Sequence, residues 1–375
     1  MALLAAALAW PGPSRISAAD PGSCDPARPH AAGDFSETIV SGGLMRSYEL
    51  HVPPSYTGSE TVALILNWHG LGGTASGQQF FSGLPAKADE AGFIVVAPQG
   101  LDNSHNFLTL FPEPDDVGFA ADLLDTLGSE LCIDPAQVFS TGLSNGALMS
   151  VRLACNLAGR FAAIGPVSGV YFPPALAEVS DEPPCISTRP VALIAFHGTA
   201  DGVIPFDGGP GIFDLTWRDV DDEILPEWAA HNGCASVPTD EEVEENVRLV
   251  RYQECDEGAT VELYVVEGGG HTWFGALGAG GISATDLMWE FFQAHPMPEA
   301  QEVAPTPTLT PEPAATTSPP QPSATAQSAT LPATGAGDGS GGAGVLAAII
   351  AGISAAAIAL GGAAWWLRRR RLYSS

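Results

Sequence analysis

Four continuous apolar segments constrain the fold of this chain more than any other feature. Segments that are apolar on both faces are typical of central strands in a parallel sheet that helices cover on both sides. We therefore predict buried strands at 61–70 (TVALILNWHG), 92–100 (GFIVVAPQG), 190–198 (PVALIAFHG) and 261–270 (VELYVVEGGG).

Helical segments alternate with these strands. Residues 115–131 carry apolar side chains at helical spacing, and the acidic pair Asp115 and Asp116 favours a helix N-terminus at their start. The alternation predicts an α/β fold with a mainly parallel central sheet and helices on both faces. Further helices are predicted at 145–160, 222–232 and 284–295, and further strands at 136–142, 161–169 and, as a pair joined by a Gly-Gly turn, 37–53.

The segment STGLSNGALMS contains one Gly-x-Ser-x-Gly motif, formed by Gly142, Ser144 and Gly146. A chain with 43 glycines acquires this pattern easily by chance, so its context decides what it means. A predicted strand precedes it and a predicted helix follows, which is the setting of a nucleophile elbow. A side chain at either glycine would collide with the neighbouring strand and helix there, and the helix N-terminus favours developing negative charge. Ser144 is therefore predicted to be a catalytic nucleophile.

A serine nucleophile requires a base and an acid that orients the base. In an α/β fold with this elbow, the chain order is serine, then acid, then histidine, each after a strand. Asp201 and His271 each follow a predicted strand and occur in that order. We predict a Ser144–His271–Asp201 triad, with Asp207 as the nearby alternative acid and a simple turn residue as the alternative role of Asp201.

An acyl-transfer enzyme also requires an oxyanion hole built from N–H donors. The backbone N–H of Asn145, directly after the nucleophile, is one predicted donor. The glycine-rich loop HGLGG at 69–73 follows an early strand, and the Leu71 N–H is the second predicted donor. His69 and His197 are both predicted to be structural histidines rather than bases.

Five segments together carry a family resemblance: GGLMRSYELHVPPSY, NWHGLGG, the stretch from DDVGFAADLL to SVRLAC, HGTADGVIPFDGG and GGGHTWFG. Over about residues 36–296 they resemble the secreted esterase family of polyhydroxybutyrate depolymerases, feruloyl esterases and acetylxylan esterases (carbohydrate esterase family 1). The resemblance implies an α/β-hydrolase fold and a serine esterase that uses no metal and no cofactor. It also implies a triad at Ser144, Asp201 and His271.

The sequence leaves the ester substrate open. Ala147 stands where the family often has a second glycine, and Phe274 stands where a proline is common. A feruloyl or acetyl ester of plant polysaccharide and a short-chain polyhydroxyalkanoate both remain compatible. Trp273 and His105 are predicted substrate-binding residues, with core packing as the alternative for Trp273. A catalytically silent surface adhesin and a serine peptidase are the alternative functions.

Both ends of the chain are predicted to lie outside the folded domain. Residues 1–19 combine a short apolar stretch with small residues at a cleavage site, which indicates a signal peptide that lacks the usual basic start. The alternative is a buried helix of the domain. Residues 297–330 are rich in Pro, Thr, Ala and Ser and predict a disordered, extended tether.

Residues 331–375 resemble the cell-wall sorting signal of Gram-positive surface proteins, because LPATG precedes an apolar span at 345–367 and a basic RRRR tail. The resemblance implies that sortase cleaves between Thr334 and Gly335 and joins the chain to the cell wall; the alternative is a plain membrane anchor. Both place residues 20–330 outside the cell. The net charge of −29 argues against nucleic acid or anionic lipid as a partner.

Six cysteines fall in this external part, and an even number in an oxidising compartment favours disulfides. Six cysteines allow 15 pairings, and the sequence does not fix one. No cysteine or histidine spacing typical of zinc sites is present, so no metal is expected. The predicted pairs are Cys132–Cys155, which flanks the elbow, Cys234–Cys255, which closes one short loop, and Cys24–Cys185 by default.

Overall fold

The structure of the chain is a computed structural model. It describes residues 22–107, 114–170, 185, 187–211, 216–276 and 281–298, all within the unit that ends at Pro298. The signal peptide predicted at 1–19, the sorting signal predicted at 331–375 and, beyond Pro298, the predicted tether lie outside these residues. Within the described ranges, no helix is long and apolar enough to cross a membrane.

Ten strands of the described residues form one sheet in the spatial order β1-β2-β4-β3-β5-β6-β7-β12-β11-β10, and β8 pairs separately with β9. In chain order the strands are β1 (Gly33–Ser41), β2 (Leu44–Val52), β3 (Val62–Trp68), β4 (Ile94–Pro98), β5 (Ile133–Leu143), β6 (Ala163–Val167), β7 (Ala192–Gly198), β8 (Asp207–Pro210), β9 (Thr216–Asp219), β10 (Thr239–Glu244), β11 (Val247–Tyr252) and β12 (Val261–Val266).

The six central strands of the sheet, from β4 to β12 in spatial order, are parallel. Antiparallel pairs extend both edges, with β1 and β2 on one side and β10 and β11 on the other. The four apolar segments of the sequence are β3, β4, β7 and β12, and their residues are buried almost throughout. The prediction of a mainly parallel sheet is confirmed.

Helices pack on both faces of the sheet. The six α-helices of the described residues are α1 (Ala75–Ser82), α2 (Leu84–Ala91), α3 (Asp116–Glu130), α4 (Asn145–Asn156), α5 (Leu225–His231) and α6 (Ala284–Ala294). α1, α2 and α6 cover one face, and α3, α4 and α5 cover the other. Side chains cap three of them, because Thr74, Asp115 and Ser283 each accept a hydrogen bond from the first turn of α1, α3 and α6.

The β1–β2 hairpin turns at Gly42 and Gly43, whose φ angles are 56° and 82°. Two successive residues with positive φ make the tight hairpin turn that matches the twist of its strands, and glycine adopts it without strain. This turn is where the sequence predicts it.

Three disulfides join the six cysteines, and two of the three predicted pairs are wrong. Cys132 packs in the core cluster that includes α3 and β3, whereas Cys155 packs in a second cluster with β7, β12 and α5. Few residues separate Cys132 from Cys155 in the sequence, but their side chains lie in different parts of the core. The observed pairs are Cys24–Cys132 and Cys155–Cys185, together with Cys234–Cys255, which confirms the third prediction.

Candidate active site

Ser144 lies at a strained turn between the end of β5 and the start of α4. Its φ and ψ angles are 57° and −118°, a combination that costs of order 1–3 kcal/mol for a residue other than glycine. The surroundings enforce it: the Ser144 N–H donates to the Val167 carbonyl at 2.9 Å, and the Ser144 carbonyl accepts from Leu148 N–H at 3.0 Å. The turn therefore lifts the serine above the carboxyl ends of the parallel strands.

Gly142 and Gly146 allow this turn to pack against β3. A Cβ atom at Gly142 would lie 2.5 Å from the backbone carbon of Gly146, and one at Gly146 would lie 2.1 Å from the Trp68 carbonyl oxygen. Both distances are far below a van der Waals contact with atoms of the backbone, which cannot move aside. The two motif glycines are thus required by the close approach of β3, β5 and α4.

Asp201 and His271 form a hydrogen-bonded pair on the loops after β7 and β12. His271 Nδ1 lies 2.8 Å from Asp201 Oδ2, and Asp201 Oδ1 accepts from the N–H groups of Val203 at 2.8 Å and Ile204 at 2.9 Å. The carboxylate is buried, while 17% of the His271 side chain is exposed. Because Nδ1 is committed to Asp201, Nε2 of His271 is free to accept a proton from a nucleophile.

The surroundings of Asp201 keep it ionised. Burial acts to raise the pKa of this carboxyl, but hydrogen bonds from His197 and His271 and the charges of both rings outweigh it, so the pKa lies well below its usual range. His197 Nε2 donates to the Ile204 carbonyl at 2.9 Å and is 3.4 Å from Asp201 Oδ2. His197 is buried and supports the acid loop. The alternative acid, Asp207, is exposed on β8.

The two loops that carry this pair are in direct backbone contact. The Ala200 N–H donates to the Gly269 carbonyl at 2.9 Å. A Cβ atom at Gly198 would lie only 2.2 Å from that same oxygen. The absence of a side chain at Gly198 therefore lets the end of β7 pack against Gly269, which brings the loops of Asp201 and His271 together.

The loop at 69–73 packs against Ser144. A Cβ atom at Gly70 would lie 3.6 Å from Ser144 Cβ, so the backbone of this loop lines the space beside the serine. In the described part of the chain, neither the Leu71 N–H nor the Asn145 N–H has a hydrogen-bond acceptor. Asn145 directly follows Ser144 in the chain and Leu71 directly follows Gly70, so the oxyanion hole formed by these two N–H groups stays a prediction.

His69 fixes this loop through hydrogen bonds of both ring nitrogens. Its Nε2 accepts a hydrogen bond from the Gly100 N–H at 3.0 Å, so the ring proton is on Nδ1 and is donated to the Gly70 carbonyl at 2.8 Å. Burial lowers the pKa of His69, which keeps the ring neutral in this tautomer. The structural role that the sequence predicts for His69 agrees with these contacts.

His105 and Trp273 do not form the substrate wall that the sequence predicts, because both are buried. His105 is 2% exposed and its ring packs on Trp68 and His69. Trp273 is 1% exposed and donates from Nε1 to Thr285 Oγ1 at 2.9 Å. For Trp273 the alternative of core packing holds, since it belongs to the core cluster beneath α6.

The backbone of His105 instead holds the side chain of Asn145. Its N–H donates to Asn145 Oδ1 at 2.8 Å, and its carbonyl accepts from Asn145 Nδ2 at 3.1 Å. The next residue, Asn106, donates its N–H to Asp116 Oδ2 at 2.6 Å, and the other oxygen of Asp116 is bound to the buried guanidinium of Arg46. The residue after the nucleophile is thus tied through one loop to a buried ion pair.

Sequence reasoning missed this network. The acidic pair Asp115 and Asp116 predicts only a helix start; in the structure Asp115 caps α3, whereas Asp116 is buried against Arg46. Arg46 is 1% exposed within β2 and lies over the Phe119 ring at 4.0 Å. Arg46 lies on the same face of β2 as the buried Tyr48 and Leu50, and an arginine in such an apolar series is the signal in the sequence that indicates a buried pair.

The two departures from the family pattern are also buried. Ala147 is fully buried in the first turn of α4, and a Cβ atom at Gly169 would lie 2.9 Å from its methyl group. The absence of a side chain at Gly169 therefore accommodates the extra methyl of Ala147. Phe274 is 1% exposed and packs in the core with Trp273.

No family model matches this chain. Among curated proteins it is similar to feruloyl esterase D of Neurospora crassa, with 32% identity over 272 residues, 68% of this chain and 84% of that protein. It is also similar to feruloyl esterase B of Piromyces equi, with 29% identity over 227 residues. That match covers 58% of this chain and only 41% of the Piromyces protein, so the chain spans less than half of that relative.

Among solved structures, the chain is similar to an acetyl xylan esterase from Aspergillus awamori. The TM-score is 0.50 at 18% sequence identity, and the match covers 70% of this chain and 100% of the esterase. At this identity the likeness shows a shared fold, which is the α/β-hydrolase fold with its mainly parallel sheet.

Proposed function

Because the chain belongs to the feruloyl esterase family of carboxylic ester hydrolases, we propose that it cleaves feruloyl or acetyl esters of plant polysaccharide with Ser144 as nucleophile. The observations that carry this proposal are the strained turn of Ser144 after β5 and the hydrogen bond of His271 to the buried Asp201 carboxylate on the loops after β12 and β7. The names of the relatives supply the substrate class, since two of them are feruloyl esterases and one structural neighbour is an acetyl xylan esterase.

The proposed reaction is acyl transfer in two steps. His271 Nε2 accepts the Ser144 proton as Oγ attacks the ester carbonyl carbon, and Asp201 stabilises the imidazolium that forms. The C–O bond to the alcohol breaks, and His271 protonates the leaving alcohol oxygen. Water then attacks the acyl-serine, gives a proton to His271 and releases the carboxylic acid while the proton returns to Ser144 Oγ.

The oxyanion of each tetrahedral intermediate is stabilised by the N–H groups of Leu71 and Asn145. Both lack an acceptor within the described residues, and Gly70, which precedes Leu71, packs against Ser144. The N-terminus of α4 adds its positive end to the same position. Loss of one such donor typically costs roughly 10²- to 10³-fold in kcat.

The test of this function is the hydrolysis of 4-nitrophenyl acetate and butyrate by the wild-type chain and by Ser144→Ala. We expect the variant to lose nearly all turnover while it keeps the wild-type melting temperature, and the exposed-site variant Ser76→Ala serves as a control. Equal rates for wild type and Ser144→Ala would overturn the enzymatic role and favour a surface adhesin.

The ester class is decided by a second comparison. Methyl ferulate and acetylated xylan are expected to be hydrolysed faster than a 3-hydroxybutyrate oligomer or a dipeptide anilide. The opposite order for the oligomer would assign a polyhydroxyalkanoate, and turnover of the anilide would assign a peptidase. Each outcome therefore selects one function.

The proposed site of action is the outside of the cell, with the chain attached by its C-terminal signal to the cell wall. The LPATG segment and the apolar span support this proposal, as do the three disulfides, which persist in oxidising compartments. In a Gram-positive host that has sortase, the chain is expected in the wall fraction. A Thr334→Ala variant is expected in the membrane fraction, and wall attachment of that variant would contradict the proposal.

A further inference from the structure

A groove of about 330 Å³ lies between the end of α1, α2 and the start of α6. Gly275 and Ala276, on the segment that follows His271, form one side of it. Nothing in the proposed chemistry at Ser144 uses this groove. Its lining combines an aromatic ring with charged and hydroxyl groups, so it differs from a gap between apolar core side chains.

Phe80 forms the rim of the groove and is 81% exposed. It is the most exposed large hydrophobic side chain in the described part of the chain. It lies near the end of α1, whose buried face is formed by other residues, so the ring contributes little to the core. An aromatic ring held in water at the mouth of a polar groove is suited to contact an apolar face of a ligand.

The lining of the groove includes an ion pair whose carboxylates are exposed to solvent. Lys87 is the only lysine of the chain, and its Nζ lies 2.6 Å from Asp286 Oδ1 and 3.7 Å from Glu90 Oε2. The ammonium group donates and the carboxylates accept hydrogen bonds at neighbouring positions. Hydroxyl groups both donate and accept, so a ligand with several adjacent hydroxyls can bind both members of this pair.

The groove is within reach of the catalytic base. Three residues lie between His271 and Gly275, so four Cα–Cα steps limit the distance between their Cα atoms to about 14 Å. The segment between them is fixed, because Trp273 Nε1 donates to Thr285 Oγ1 at 2.9 Å and Thr285 donates to the Ser82 carbonyl at 2.6 Å. Thr285 and Ser82 themselves line the groove.

We propose that this groove is a subsite for a neutral sugar unit of the polysaccharide whose ester is cleaved, with Phe80 stacking on the sugar face and Lys87 and Asp286 binding its hydroxyls. The inference rests on the proposed function and extends it to the alcohol side of the ester. A polyhydroxyalkanoate has no hydroxyls along its chain to bind the ion pair. A polyanion is disfavoured by the net charge of −29.

The test compares two feruloyl esters that differ only in the alcohol: methyl ferulate and a feruloylated arabinoxylo-oligosaccharide. Phe80→Ala is expected to lower the ratio of kcat/KM for the oligosaccharide to kcat/KM for methyl ferulate by about five- to tenfold, mainly through KM. Phe80→Trp is expected to keep the wild-type ratio. Val237→Ala removes an equally exposed apolar side chain elsewhere, at 80% exposure, and is the matched control.

A wild-type ratio in Phe80→Ala would overturn the subsite, and so would an equal ratio change in Val237→Ala. A direct binding measurement supports the kinetics: the inactive Ser144→Ala chain is titrated with the unesterified oligosaccharide, with and without Phe80→Ala. Saturable binding that requires Phe80 is expected. Absence of all ester hydrolysis by the wild type would contradict the proposed function, whereas normal hydrolysis with a Phe80-independent ratio would contradict only the subsite.

Discussion

Gly146 shows how a single residue sets the position of the nucleophile. A methyl group at this position would lie 2.1 Å from the Trp68 carbonyl oxygen, which belongs to the backbone of β3. Gly146→Ala is therefore expected to force β3 and α4 apart, to destabilise the fold by roughly 1–3 kcal/mol and to remove most esterase activity. Urea unfolding and the rate with 4-nitrophenyl acetate measure the two effects.

The matched control for this change is Gly202→Ala, beside Asp201. A Cβ atom there meets no other atom within 4 Å. Its unfolding midpoint is expected to equal that of the wild type. A Gly146→Ala chain as stable and active as the Gly202→Ala chain would show that the close approach at the elbow is not required.

The buried carboxylate of Asp201 makes stability depend on pH. Its pKa is lower in the folded chain than the unfolded value of about 3.9. A depressed pKa adds stability that is fully present above about pH 4 and is lost as the pH falls through the folded value. Asp201→Asn is therefore expected to show a smaller loss of unfolding free energy between pH 5 and pH 2 than the wild type.

The same substitution separates stability from catalysis. Asp201→Asn is expected to lower kcat by on the order of 10³- to 10⁴-fold at neutral pH, because His271 loses the acceptor that fixes its tautomer. Asp207→Asn, at the exposed alternative position on β8, is the control and is expected to match the wild type in both measurements. A strong effect of Asp207→Asn would reverse the assignment of the acid.

At the residue scale, chain order predicts which residues meet but not which way a side chain points. Asp201 and His271 follow strands that are neighbours in the sheet, so their pairing follows from topology. Trp273 is two residues from His271, yet its ring turns into the core because Thr285 offers a hydrogen-bond acceptor there. His105 is also buried, and there the backbone N–H and carbonyl bind the side chain of Asn145.

At the scale of elements, the strands with apolar faces lie where the sequence predicts them. The helices α1 and α2 and the edge strand β10 are not predicted, and one predicted helix starts later than expected. The helices α1 and α2 have no apolar periodicity: the buried face of α1 is Ala75, Gln78, Gln79 and Ser82. The edge strand β10, TDEEVE, is exposed along its whole length and is held by pairing with β11. The α-helix predicted at 222–232 begins at Leu225, after a short π-helix over Val220–Ile224. Their stability comes from neighbours in space, which the local pattern does not contain.

The ion pair of Arg46 and Asp116 joins β2, α3 and the loop that holds Asn145. Removing one partner of a buried pair leaves an uncompensated charge and costs about 3–5 kcal/mol. Asp116→Asn is expected to destabilise the chain by an amount of this order. Because Asn106 also loses its carboxylate acceptor, kcat is expected to fall more than KM rises.

The control for Asp116→Asn is Asp122→Asn, an exposed carboxylate on the same helix. Its unfolding midpoint and kcat are expected to match the wild type. Double substitution with Arg46→Met removes both charges and is expected to recover part of the lost stability, since no buried charge then remains unpaired. A double variant less stable than Asp116→Asn would contradict the ion-pair explanation.

At the scale of the whole molecule, the disulfides differ most in how much chain they enclose. Cys24–Cys132 closes a loop of 108 residues and ties the N-terminal segment to the start of β5, whereas Cys234–Cys255 closes a loop of 21. Their pairing could not be predicted from spacing, because the fold and not the sequence distance brings Cys24 beside Cys132. Loop length nevertheless predicts how much each bond restricts the unfolded chain.

Chain entropy predicts a contribution of about 5 kcal/mol for the longer loop and about 3 kcal/mol for the shorter one. The double variant Cys24→Ser with Cys132→Ser is therefore expected to unfold at lower urea concentration than the double variant Cys234→Ser with Cys255→Ser, under oxidising conditions. Esterase activity before unfolding verifies that each variant reaches the native fold. The reverse order would show that contacts in the folded chain, and not the restriction of the unfolded chain, determine what each disulfide contributes.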